Sequence, residues 1–217
     1  MRFTSFGLLR RLGLVLVSVA VLFLCAGRRD LPWAWAYLVL WSAYILEGCF
    51  RTPAERTGPS SNRSQLGAND WIATATAQGL LWLALAVAGL DIGRLHWSDA
   101  VPVGLQFLGL AGCVIGLGLV LWSRSVNRFF SSLIRIQRDR GHHVITAGPY
   151  RWVRHPAYAG MVLFNLCSAP ALGSWLAVLP ILGRVFLTVR RTVLEDRLLL
   201  RELEGYLEYA EQVRHRL

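Results

Sequence analysis

Apolar runs long enough to cross a bilayer alternate with short polar stretches along this 217-residue chain. The first run, 12–26, follows Arg2, Arg10 and Arg11, the charge order of a signal peptide. No small-x-small cleavage pattern and no polar mature region follow it, so it is expected to form a first membrane helix. The second run, 31–50, carries Trp33 and Trp35 near its start, which suits an interfacial belt. Its Glu47 has Arg51 as an i+4 partner at the interface. A third run, 71–90, contains Thr74, Thr76 and Gln78, expected to face neighbouring helices. A fourth, 101–122, carries Gly104, Gly109, Gly112, Gly116 and Gly118, which allow helices to approach closely. Residues 157–190 are long enough for a helical hairpin turning at 169–174. In 191–217, Leu199, Leu203, Tyr206, Ala210 and Val213 recur at spacings of three and four, the stripe of an amphipathic helix.

The pattern predicts an all-α polytopic membrane bundle of five to six transmembrane helices. Residues 1–122 supply the first four. Residues 123–217 form a catalytic region of loop, hairpin and amphipathic helix. The polar segments 51–70 and 91–100 are loops; the largest polar insertion is 123–156.

Composition agrees with a membrane reading. The chain is 54% hydrophobic, 17% charged, and carries a net charge of +10 with arginine as its only Lys/Arg-type cation. Seven arginines against one acid, Asp139, fall in 123–156. The charge flanks apolar runs and accompanies no groove-reading element, so lipid headgroups are the expected partner and nucleic acid is not. With six spans, the arginine-rich flanks and both termini share one side, and the positive-inside rule makes it the cytoplasm. The Arg28-Arg29 pair is the exception. Cys25, Cys49, Cys113 and Cys167 lie in or beside apolar runs without metal-ligand spacing, so they are expected to be free and no metal site is predicted.

The candidate chemistry begins at 148–160, GPYRWVRHPAYAG. Proline suits the first helical position, which puts His155 at the N-cap of a helix beginning at Pro156. An imidazole and the phenol of Tyr158 then stand at the positive end of a helix, a place that favours anionic groups. Downstream, Arg191 and Glu195 share a helix face, with Asp196 adjacent. Each group taken singly also suits a plainer role, as a headgroup anchor or a surface ion pair.

Residues 127–209 resemble the C-terminal half of the isoprenylcysteine carboxyl methyltransferase family, and more loosely membrane phospholipid N-methyltransferases. The carrying pieces are Gly141-His142, 144–150, 153–160, Arg191, Glu195-Asp196, Gly205-Tyr206 and Tyr209. The resemblance implies S-adenosylmethionine as cofactor and a membrane lipid or lipidated small molecule as acceptor. It implies that Arg135, His142, Val144, Ile145, Tyr150, His155, Pro156, Ala157, Tyr158 and Glu195 line the cofactor, with Arg191 orienting the substrate. His143 is offset by one from the family histidine and is taken as a bystander. The usual Glu-Glu pair is Glu195-Asp196 here. A carboxylate acceptor would need no base. An amine acceptor would need one, and Glu195, Asp196 and Tyr158 are candidates. Two other readings remain open: an NADPH-dependent membrane reductase of sterol-reductase type, and a non-enzymatic membrane scaffold.

Overall fold

The computed structural model describes residues 5–47, 68–131 and 133–217. The predicted Glu47–Arg51 pair, Cys49 and most of the 51–70 loop lie outside the residues or side chains described. Seven α-helices and no strand are present among the described residues. They are α1 (Ser5–Ala26), α2 (Pro32–Glu47), α3 (Ala68–Leu90), α4 (Val103–Val126), α5 (Pro156–Leu172), α6 (Val178–Glu202) and α7 (Tyr206–Gln212).

Among the described residues, three helical stretches are long and apolar enough to cross a membrane: Gly7–Ala26, Asp70–Leu95 and Val103–Val126. These spans leave large apolar side chains such as Leu16, Leu24, Phe107, Leu108 and Ile115 exposed. That is the expected outer surface of a bundle solvated by lipid. The α5 helix is apolar but shorter, and α6 carries Arg184 within its apolar half.

The glycine-rich face of α4 packs along α5, but only part of it. A Cβ at Gly116 would lie 2.7 Å from Gly160 O, and one at Gly160 would lie 2.6 Å from Gly116 O. Gly109 and Gly112 face Ala171 and Cys167 of the same helix, whereas Gly104 and Gly118 face open space. Thus Gly109 and Gly116 permit backbone contact, Gly112 makes room for the Cys167 side chain, and the other two do neither. Of the polar residues on α3, Thr74 accepts a hydrogen bond from Arg191 of α6 (3.1 Å), but exposed Thr76 only bonds back to Ile72 O of its own helix. Cys25, Cys113 and Cys167 are free, as expected.

The hairpin turn falls near its predicted place. Helix α5 ends at Gly173, whose φ of 77° is left-handed, and Ser174 N–H closes onto Ala169 O (3.1 Å). At the same end, Asp91 is fully buried and accepts hydrogen bonds from Ser98 and Ser174, tying the end of α3 to this turn.

Two boundaries differ from the pattern. Helix α6 runs unbroken from Val178 through Glu202, so position 191 lies inside a helix. The predicted amphipathic helix is interrupted at Leu203–Gly205, where Gly205 adopts φ 75° and α7 starts afresh. The apolar stripe survives the break: Leu203, Tyr206, Tyr209 and Val213 form one buried cluster, with Leu199 and Ala210 packed against it. Periodicity recorded which side chains are buried together, and the glycine turn decided how the backbone brings them there.

Candidate active site

Helix α5 begins as the dipeptide His155-Pro156 suggests. His155 is the N-cap, with φ −126° and ψ 62°, and Pro156 occupies the first helical turn. The His155 imidazole makes no capping bond. It turns instead to α6, where its Nε2 lies 3.0 Å from Asp196 Oδ1.

Asp196 is the centre of this end of the molecule. Its side chain is fully buried and takes Arg154 as a two-pronged donor, Nε to Oδ1 at 3.0 Å and Nη2 to Oδ2 at 3.1 Å. Tyr206 donates to Oδ1 at 2.8 Å, and Arg216 Nε donates to Oδ2 at 2.8 Å. Burial alone would raise this carboxyl. The hydrogen bonds from His155, Arg154 and Tyr206 outweigh it and hold Asp196 below the usual carboxylate range. With both oxygens occupied by cations and a phenol, Asp196 is a structural anion. It is not an available base, which removes one of the three candidates for an amine acceptor.

The same knot captures the C-terminal segment. Arg154 Nη1 donates to Val213 O at 3.0 Å, while the backbone N–H groups of Arg154 and His155 donate to His215 O and Arg216 O, both at 3.0 Å. Tyr209 donates to Tyr150 O at 2.7 Å. The GPY–RHP stretch is thereby clamped between α6 and the segment that follows α7.

One residue earlier on α6 the surroundings change. Glu195 accepts a single described hydrogen bond, from Tyr158 Oη at 2.7 Å, and faces a cleft. The cleft encloses about 800 Å³, open to solvent on one side. Arg135, His142, Val144, Ile145, Tyr150, His155, Ala157, Tyr158 and Glu195 all line it. Of the predicted cofactor residues, only Pro156 does not; it is buried beneath the helix start.

His142 is held by its neighbours. Its Nδ1 accepts the Gln137 N–H at 3.2 Å, which puts the neutral ring's proton on Nε2, and its ring stacks 4.5 Å from Phe129. Burial, with repulsion from His143 and Arg140, lowers its pKa to about 4. It is therefore a neutral donor at physiological pH. Tyr150 is pushed up to about 12, chiefly by burial, and its hydroxyl accepts from Asn127 Nδ2 at 3.1 Å.

Arg191 does not line the cleft. It stands behind the Tyr158–Glu195 pair, donating to Thr74 Oγ1 and lying 3.5 Å from Asp70 Oδ2 at the start of α3. Sequence reasoning missed Phe129 and Leu198, which contribute apolar wall, and it set aside His143, which lies at the cleft's exposed edge. The arginine-rich loop obscured the first, because its charge masks the aromatic residues that stack under the cations. The Arg128 guanidinium, for instance, lies 4.8 Å from the Phe129 ring centre.

Fold and site together define an all-helical protein with membrane-length helices and a cleft between α5, α6 and a polar loop. Residues 109–201 match the family model described as the isoprenylcysteine carboxyl methyltransferase (ICMT) family. The chain is 29% identical over 134 residues to a protein-S-isoprenylcysteine O-methyltransferase of Tribolium castaneum, covering 55% of this chain and 41% of the relative. It is 27% identical over 105 residues to protein-S-isoprenylcysteine O-methyltransferase B of Arabidopsis thaliana, covering 46% of this chain and 53% of the relative. A probable enzyme of the same name from Oryza sativa subsp. indica is 28% identical over 116 residues, 50% of this chain and 59% of the relative. The chain thus spans roughly half the length of these curated relatives.

Proposed function

We propose that the protein is an integral membrane carboxyl O-methyltransferase. It takes its methyl group from S-adenosylmethionine and passes it to a lipid-like acceptor, a prenylated cysteine or a similar amphiphile. The observation that carries this reading is the convergence of nine of the ten expected cofactor residues on one cleft, with Glu195 in its wall. The family match over 109–201 supports it.

The residues present fit the cofactor. Glu195, oriented by Tyr158, suits its ammonium or ribose hydroxyls. His142, a neutral donor, suits its carboxylate. Val144, Ile145 and Leu198 offer apolar surface to the adenine, and aromatic faces such as Tyr150 suit a sulfonium. When bound, the cofactor supplies an activated methyl: its carbon–sulfur bond breaks, the electron pair stays on sulfur, and a carbon–oxygen bond to the acceptor forms. The protein's contribution is alignment for in-line displacement. Arg191 lies behind the cleft wall against Thr74 and Asp70, and the acceptor reaches it from that side, exchanging its carboxylate for Asp70 and being aimed at the cleft. A carboxylate is already a nucleophile at neutral pH, so no base is needed, consistent with an Asp196 saturated by cations. By the positive-inside rule the helices pass the membrane several times, and the cleft lies at the cytoplasmic face. No observation favours the reductase reading.

The test is titration of detergent-purified protein with S-adenosylhomocysteine and, separately, NADPH. Labelled transfer to a prenylcysteine analogue, read as base-labile methyl ester, accompanies it. Saturable binding of the first ligand alone, with ester formation, is expected. Folded protein that binds no S-adenosylhomocysteine overturns the reading. Arg191→Ala should slow turnover on the order of a hundredfold, the scale of one lost transition-state contact, with S-adenosylhomocysteine affinity changed little.

A further inference from the structure

A second cavity, of about 340 Å³, lies between α2, α4, α5 and α6, and a cation stands in its wall. Trp41, Tyr44, Phe164, Asn165, Arg184 and Thr188 line it. Arg184 Nε donates to Asn165 Oδ1 at 2.8 Å and Nη1 donates to Ala77 O at 2.6 Å. The guanidinium carbon lies 5.8 Å from the Trp41 ring centre. Asn165 is aimed by its own amide, which donates to Met161 O at 2.7 Å. No carboxylate pairs with Arg184 among the described residues. Two neutral oxygens and an indole face leave a formal positive charge in a mostly aromatic cavity, against a helix of membrane-spanning length. Retaining such a charge costs several kcal/mol, and an intramembrane arginine calls for a ligand or a pathway.

The cavity and the cleft lie along the same faces of α5 and α6. Arg184, Thr188, Arg191 and Glu195 follow one another on α6 at spacings of four, three and four, a single helix face. Tyr158, Met161 and Asn165 do the same on α5. Tyr158 bonds Glu195 at one end of these paired faces and Asn165 bonds Arg184 further along them. From Arg184 to Arg191 the helix rises about 10 Å.

We propose that this cavity is a carboxylate subsite, in which Arg184 holds the acid group of a membrane-soluble amphiphile. A carboxylate matches the forked guanidinium and, as a monoanion, costs less to bury than a phosphate. A bare hydrocarbon tail would leave the charge unanswered. Only the identification of this amphiphile with the methyl acceptor rests on the proposed function. In that case the acceptor carries a second acidic group roughly 10 Å of helix rise from the one at Arg191.

The test compares binding of labelled palmitate, hexadecanol and dodecyl phosphate to the full detergent-purified chain, with S-adenosylhomocysteine titration as an independent readout of the cleft. Palmitate should bind at least about tenfold more tightly than hexadecanol and more tightly than dodecyl phosphate, as for a hydrogen bond to a charged group. Arg184→Gln should abolish that preference. Asn165→Asp, a near-isosteric change that supplies an internal carboxylate 2.8 Å from the cation, should abolish it too, and it remains informative where Arg184→Gln does not fold. Equal binding of acid and alcohol by the wild type, preferred binding of the phosphate, or a preference that survives Asn165→Asp overturns the proposal. Absent S-adenosylhomocysteine binding with a preserved acid preference overturns the methyl-transfer reading alone.

Discussion

Glu195 and Asp196 are neighbours on one helix and both carry a carboxylate, yet they belong to different regions. Asp196 faces inward, fully buried, and meets Arg154, His155, Tyr206 and Arg216. Glu195 is turned about 100° around the helix axis, meets one phenol and borders the cleft. The first region holds structure together; the second is left with acceptor capacity for a ligand. An acidic pair in sequence is therefore one structural anion and one anion that borders the cleft, and the helical turn between successive residues makes the division.

The largest effect should come from breaking the knot. Asp196→Asn leaves Arg154 buried without its counter-ion and weakens the contact with His155, and destabilisation of about 3–5 kcal/mol is expected, the scale for removing one partner of a buried pair. Thermal unfolding in detergent checks it, and an unchanged melting temperature would remove Asp196 from its central place.

Glu195→Gln sharpens the contrast from the other side. The melting temperature should change little, while S-adenosylhomocysteine affinity falls about 10- to 100-fold, as for loss of a charged hydrogen bond. A variant that unfolds instead, with affinity intact once refolded, would merge the two regions into one. Tyr158→Phe removes only the phenol that aims Glu195. A weaker loss of affinity, about three- to tenfold for one net hydrogen bond, is expected by the same titration.

The smallest effect concerns pH. His142 titrates near 4 in the folded chain against an ordinary 6.5. Between those values the unfolded chain holds a proton that the folded one does not, so stability declines as pH falls from 6.5 towards 4 and then levels. Asp196 acts with the same sign in a lower window: its contribution is complete above the ordinary carboxyl range and is lost as pH falls below it. His142→Gln should therefore flatten the dependence of melting temperature on pH between 6.5 and 4 while leaving the strongly acid limb unchanged. An unaltered slope would place His142 in water.

Much of the fold was legible because lipid-facing helices need apolar length and that length is local in sequence. Three of the expected runs are helices of membrane-spanning length. The hairpin turn was legible because Gly173 must take a left-handed φ. The break at Gly205 was less so, since the stripe from Leu199 to Val213 keeps its spacing across it. In the cleft, residues of the GPY and RHP stretches were named in advance by the resemblance of their motifs to a known family, whereas local marks alone gave the helix start at Pro156. The role of Arg216 could not be, because nothing near it signals a partner 20 positions upstream.

By itself the sequence determined that the protein is helical, apolar and basic, that a helix starts at Pro156, and that Arg191 and Glu195 share a face. These follow from local sterics, helical periodicity and the cost of exposing backbone to lipid. Only the tertiary structure decided that the two motif stretches meet, that Asp196 is consumed by the knot while Glu195 faces the cleft, and that Arg184 stands in a cavity with no acid among the described residues. Those facts depend on which helix face turns towards which neighbour. That choice is made by packing across the whole bundle, with the backbone contact of Gly116 and Gly160 on α4 and α5 fixing how closely the helices can come.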